Sequence, residues 1–143
     1  MSRVALPSET VIEFVGADGD GIGAHPDGGR LYVPLTVPGD RVRVQPLARR
    51  GDGWLAEVES FLDYGVERRT PICGHFGVCG GCTSQHWDEA SYLTWKTGRL
   101  ASALRRAGFD EPVIAPIVRG SAGTRRRMDL AVRRGAGVLS VGL

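Results

Sequence analysis

Residues 10–46 read "TVIEFVGADGDGIGAHPDGGRLYVPLTVPGDRVRVQP". Short apolar segments alternate here with glycine- and aspartate-rich turns. "TVIEFVG" predicts a strand carrying Val11, Ile12 and Phe14, and it runs into the turn "ADGDGIG". "RLYVPL" follows a "DGG" turn. "GDRVRVQP" alternates cleanly, with Val42 and Val44 on one face and Arg41 and Arg43 on the other. Outward from this stretch, "GWLAEVESFL" supplies one more strand. Four or five short strands in so few residues predict a small antiparallel barrel, since closure removes exposed strand edges. Gly19, Gly21 and Gly23 approach a dinucleotide fingerprint, but no helix follows and His25-Pro26 interrupts, so a barrel turn is the better reading.

Composition bounds the rest. The chain has 143 residues, 42% hydrophobic and 24% charged, which is ordinary for one domain or two small modules. No apolar run is long enough to span a bilayer, and "MSRVALPSETVIEF" lacks a signal peptide's apolar centre. A cytoplasmic monomer with no membrane contact is the expectation, and disulfides are not expected there. The net charge is +2, unevenly spread. Residues 1–60 hold six arginines against nine acids, and residues 61–143 hold twelve basic residues against seven acids. The basic second half suits a phosphate-contacting surface and equally suits a solvated one.

All three cysteines fall in "CGHFGVCGGCTSQH": Cys73, Cys79 and Cys82, spaced C-x5-C-x2-C. Two thiols separated by two residues can wrap one metal or one cluster face. Gly80 and Gly81 let the chain turn between them and bring amide N–H groups towards sulfur. Zinc would need His75 or His86 to complete four ligands. An iron–sulfur cluster can take three cysteines from one loop and the fourth from a distant segment. The second reading needs neither histidine, which then serve as loop or capping residues.

From Asp88, an N-cap candidate, "EASYLTWKTGRLASALRRAG" has helical spacing and stops at Gly108. Leu93, Leu100, Leu104 and Ala107 form its expected packing stripe, with Tyr92 and Trp95 as further packing residues. Lys96, Arg99, Arg105 and Arg106 supply positive charge. A turn-rich connection leads to "TRRRMDLAVRR", where Met128, Leu130 and Val132 alternate with Arg127, Asp129 and Arg133. "GAG" then turns the chain into "VLSVGL", predicting a hairpin. The chain ends at Leu143 inside an apolar strand, as a truncated chain would.

Two resemblances gather these features. "VGADGDGIG…GRLYVPLTVPGDRVRV" resembles the TRAM domain, a small OB-like barrel attached to RNA-modifying enzymes. "RRTPICGHFGVCGGCTSQHWDEASYLTWK" resembles the cluster loop of the TRAM-containing, S-adenosylmethionine-dependent uracil-C5 RNA methyltransferases. It does so through Pro71, Cys73, Cys79 to Cys82, Gln85-His86, Tyr92 and Lys96. The resemblance implies an OB-like barrel over residues 1–62 and a cluster loop over 63–87. Residues 88–143 would begin a central α+β domain that contacts RNA, and the catalytic α/β domain would be absent from this chain. It implies a 4Fe–4S cluster on Cys73, Cys79 and Cys82, with a fourth cysteine outside these residues. RNA is the implied partner, with Arg41, Arg43, Arg125, Arg126 and Arg127 as the candidate phosphate contacts, and Arg49 and Arg50 as plausible additions. The implied reaction is methyl transfer from S-adenosylmethionine to C5 of a uracil in ribosomal or transfer RNA. In it a cysteine thiolate adds at C6, C5 takes the methyl group, and a carboxylate removes the C5 proton as the thiolate leaves. With every cysteine assigned to the cluster, the chain alone is expected to be inactive. The alternative is a stand-alone zinc or iron–sulfur RNA-binding module without catalysis.

Overall fold

A computed structural model describes residues 6–121, 123–124 and 126–142. Five strands come first: β1 (Ser8–Val15), β2 (Gly21–Ala24), β3 (Arg30–Val33), β4 (Arg41–Arg50) and β5 (Gly53–Asp63). They close into a barrel in the order β1-β2-β3-β5-β4, the OB-like arrangement expected. One pairing departs from the antiparallel expectation: β3 runs parallel to β5. The reason is geometric, because a closed ring with an odd number of strands cannot alternate direction all the way round.

The barrel interior is filled by Ile12, Leu31, Val33, Val42, Val44 and Ala56, with Trp54, Val58 and Phe61 packed against them. Val42 and Val44 are wholly buried, as their alternation with arginines required. Each contributes about 1.5–3 kcal/mol by leaving water. The pairing register of β1 against β2 shifts between Ile12 and Phe14. The shift changes the alternation along β1, so Ile12 and Val15 are both buried while Phe14 lies exposed. The glycines of "GDGIGA" belong to a barrel turn and to β2. A Cβ at Gly21 would lie 2.1 Å from Thr36 Oγ1, and one at Gly23 would lie 2.5 Å from Thr10 Oγ1. Close strand packing, and not a phosphate, explains them.

Helix α1 (Glu89–Arg106) starts where Asp88 accepts a hydrogen bond from the Ser91 N–H at 3.3 Å, and Gly108 follows its end at φ +94°. The expected packing stripe is not its contact face. Leu100 and Ala107 are exposed, Leu93 and Leu104 are half-buried, and the helix buries no residue fully. Tyr92 and Trp95 instead pack against Val15, Val37 and Trp87, and Trp95 Nε1 donates to the Val15 carbonyl at 3.1 Å. The aromatic rings, and not the leucines, pack against this buried cluster. Further along, β6 (Ala131–Gly135) and β7 (Val138–Gly142) form the expected hairpin, turning through Ala136 and Gly137 at φ +47° and +81°. Met128, Leu130 and Val132 are all exposed.

One carboxylate ties barrel and loop together. Asp40, wholly buried in the turn before β4, accepts from the Val37 N–H at 2.8 Å and the Gly65 N–H at 2.9 Å. It also takes Arg68 Nε at 2.9 Å and Nη2 at 2.6 Å. Replacing Asp40 with alanine leaves the largely buried Arg68 charge without its partner. The expected loss is about 3–5 kcal/mol of unfolding free energy in a denaturant titration, whereas Glu9→Ala, which breaks only exposed pairs, should cost less than about 1 kcal/mol.

Candidate metal centre and nucleic-acid interface

The cysteine loop hangs from a closed neck. Residues 67–69 and 86–88 run antiparallel. The Arg69 N–H donates to the His86 carbonyl at 2.8 Å, and the Asp88 N–H to that of Glu67 at 2.7 Å. Arg69 pairs with Asp88 at 3.0 Å, and Trp87 Nε1 donates to Glu67 at 2.7 Å. Trp87 itself is buried against Val15 and Val37. The neck therefore belongs to the barrel's packing, while the tip between its two sides is held by turns.

At the tip, Cys73, Cys79 and Cys82 are free thiols, the first and last exposed and Cys79 half-buried. The turns are local. The Phe76 N–H donates to the Cys73 carbonyl at 3.1 Å and the Cys79 N–H to that of His75 at 2.9 Å, with Gly77 at φ +87°. The Gly81 N–H reaches Cys79 Sγ at 3.4 Å, an amide-to-sulfur approach of the kind that the two glycines were expected to allow. Gln85 Oε1 accepts from the Cys73 N–H at 3.2 Å, which spans the loop from the far side. Among the described residues, no group of three or more Cys, His, Asp or Glu side chains lies close enough together to hold a metal ion. The donor chemistry of an iron–sulfur or zinc site is present on one loop, but the sulfurs are not gathered.

Neither histidine acts as a side-chain cap. His86 is buried, its ring 5.2 Å from that of Phe76, and neither ring nitrogen completes a hydrogen bond. Burial pushes its pKa below the ordinary histidine value, and the Arg68 charge adds to this. The Thr36 backbone and Asp40 pull the other way. His86, Phe76, Pro71 and Arg68 line a groove of about 750 Å³ together with Leu55, Val58 and Phe61 of β5.

The candidate RNA contacts divide by electrostatics. Arg41 and Arg43 both reach Glu9, at 3.2 and 2.7 Å, and the Arg43 hydrogen bond, helped by both charges, holds its carboxyl below the usual range. Arg50 is paired with Asp20 and Asp18. These barrel cations are largely neutralised within the chain. Lys96 lies over the Tyr92 ring at 5.1 Å, and no carboxylate pairs with Lys96, Arg99, Arg105 or Arg106 among the described residues. Arg126 and Arg127 precede β6 on exposed backbone, and Arg125 lies outside the described residues. Sequence reasoning passed over Asp40, Arg68 and Trp87, the residues that seat the loop. The one signal was an aspartate in the "PGD" turn, which local patterning reads as turn chemistry alone.

No protein-family model matches the chain. An uncharacterized RNA methyltransferase of Brucella suis is 40% identical over 126 residues, 88% of this chain and 29% of its own length. One from Caulobacter vibrioides is 37% identical over 127 residues, 89% of this chain and 29% of its length. A 23S rRNA (uracil(1939)-C(5))-methyltransferase of Bordetella parapertussis is 37% identical over 124 residues, 85% of this chain and 26% of its length. The chain thus spans less than a third of the relatives it matches, and over most of its own length it is related to proteins named as RNA methyltransferases.

Because the His86 pKa is lowered by folding, the folded chain binds fewer protons here than the unfolded one. That contribution to stability is complete above the ordinary histidine value near ~6.5 and is lost as pH falls below it towards the folded-state value. Denaturant midpoints measured across this window should drop on acidification in the parent chain. They should drop less in His86→Phe, which has no proton to take up.

Proposed function

We propose that this chain is the RNA-recognising and cluster-bearing part of an S-adenosylmethionine-dependent RNA (uracil-C5) methyltransferase. Its substrate would be ribosomal RNA, the substrate named for the Bordetella relative. The observation that carries this reading is the kinship over nearly nine tenths of the chain with proteins named as RNA methyltransferases, joined to three free thiols on one loop. Cys73, Cys79 and Cys82 would hold three corners of a 4Fe–4S cluster, and a cysteine outside these residues would supply the fourth. Once bound, the cluster supplies a rigid multivalent crosslink, because methyl transfer by thiolate addition needs no electron. Binding would gather thiols that the loop alone leaves apart, which is the usual coupling of ligation to local folding.

The chain's own residues do the positioning. Asp40 and Arg68 fix the neck, Gln85 spans the loop through the Cys73 amide, and the Gly81 amide donates to the Cys79 sulfur. The chemistry at uracil would belong to a part of the enzyme outside these residues. Among the described residues there is a single helix, and no α/β unit of the kind that binds S-adenosylmethionine.

Anaerobic reconstitution with iron and sulfide should give the chain the broad visible absorption of an iron–sulfur cluster. Serine at Cys73, Cys79 or Cys82 should abolish or destabilise it. Uptake of zinc alone, with no iron or sulfide retained, would overturn the cluster and favour a zinc-binding RNA module. Methyl transfer from labelled S-adenosylmethionine into uracil C5 of ribosomal RNA by the full-length enzyme checks the reaction itself. For the RNA surface, alanine at Arg125, Arg126 and Arg127 should flatten the salt dependence of affinity by about 0.7 of a log–log unit for each phosphate that is no longer neutralised. An unchanged slope removes these arginines from the interface.

A further inference from the structure

Among the barrel arginines at the β4–β5 end, Arg49 stands apart. Arg30 pairs with Asp52 and Arg50 with Asp18 and Asp20. No carboxylate or other hydrogen-bond acceptor holds Arg49 among the described residues. Its guanidinium lies over the Trp54 indole, with its carbon 4.2 Å from the ring centroid. The two residues are cross-strand partners, Arg49 near the end of β4 and Trp54 at the start of β5. Trp54 also packs against the barrel core, which holds the indole in place.

A third ring joins them from the β2–β3 loop. His25 lies 6.4 Å from Trp54 between centroids, with the planes inclined by 25°, and it is only 8% exposed. Its Nδ1 accepts the Asp27 N–H at 3.1 Å, so in the neutral ring the proton sits on Nε2. That N–H has no partner among the described residues. The loop is closed tightly to hold the ring there: the His25 N–H donates to the Gly29 carbonyl at 3.1 Å, and Gly28 and Gly29 sit at φ +87° and +89°. Three segments separated in sequence thus bring together an indole, an uncommitted guanidinium and an almost buried imidazole. All are donors or π-faces, and none is a carboxylate.

We propose that Arg49, Trp54 and His25 form a subsite for one nucleotide of single-stranded RNA. The inference rests on the RNA reading above. A base would stack on the outer face of the Arg49 guanidinium, giving a base–guanidinium–indole stack. The spare N–H groups of Arg49 and His25 would meet acceptors on the nucleotide. The stack suits any base, because every base has a π-face, so the subsite would grip RNA without reading sequence. It also accounts for how a barrel whose other cations are neutralised in place can still hold RNA: stacking takes the part that phosphate attraction plays elsewhere.

Arginine is distinguished from lysine here by its plane and not by its charge. Binding of a fluorescent single-stranded RNA of about ten nucleotides to the 143-residue chain is therefore compared in three variants. Arg49→Lys should weaken binding about ten-fold while leaving the salt slope unchanged. Arg49→Ala should weaken it at least as much and also flatten the slope. Val113→Ser, at a fully exposed residue beyond helix α1, should change affinity by less than about two-fold. The Trp54 indole N–H resonance should shift on RNA addition in the parent chain. Wild-type affinity in Arg49→Lys overturns the subsite while leaving RNA binding intact. Absence of RNA binding by the parent chain overturns the RNA reading and the subsite with it.

Discussion

The Asp40 carboxylate is the constraint on which the rest of the structure depends. It is wholly buried, and a bare charge there would be untenable. Four donors meet it: two backbone amides from different turns, and two nitrogens of one guanidinium. Arg68 extends the connection by donating from Nη2 to the Leu35 carbonyl at 2.9 Å, where Leu35 is held at φ +60°. It also lies over the Phe61 ring at 4.4 Å. The turn before β4, the end of β5 and the root of the cysteine loop are thus locked through one anion. Such a pair contributes less to net stability than to uniqueness of arrangement, since its desolvation offsets much of its attraction.

From that lock the loop inherits a graded stiffness. The neck is zipped by backbone hydrogen bonds and sealed by Trp87, so its position relative to the barrel is fixed. The tip, with its glycines and exposed thiols, has little buried surface to hold it in one shape. A rigid root with an adaptable tip is what the cluster ligation proposed above would need. The same seal carries helix α1, because Trp87 packs against Tyr92 and Trp95 at ring separations of 6.2 and 5.8 Å. Loop and helix are therefore seated by one aromatic cluster against Val15 and Val37.

Charge is arranged on a different principle in the two halves. In the barrel, Glu9, Asp18, Asp20 and Asp52 engage the arginines across from them. Helix α1 keeps an acid only in its first turn, and that residue, Glu89, is taken up by Arg119. The cations further along the helix then face water, Arg105 and Arg106 complementing its C-terminal dipole. The near-zero total charge hides this division, which counting residues along the chain shows only as a drift from negative to positive.

The sequence by itself determined whatever rests on short-range pattern. Alternation in "RVRV" set Val42 and Val44 inward, Asp88 and Gly108 bounded the helix, "GAG" made the hairpin turn, and the spacing of Cys73, Cys79 and Cys82 marked the loop. Each of these depends on residues within a few positions of one another. The tertiary structure alone decided what needs distant partners. It placed a register shift in β1 that hides Val15 and exposes Phe14, and it turned the aromatic face of helix α1 inward in place of its leucines. It also neutralised Arg41, Arg43 and Arg50 while leaving Arg49 on Trp54, and it made Asp40 the anchor of the loop. Burial and charge pairing are set by which surfaces meet, and residues 28 positions apart, as Asp40 and Arg68 are, meet only once the barrel has closed.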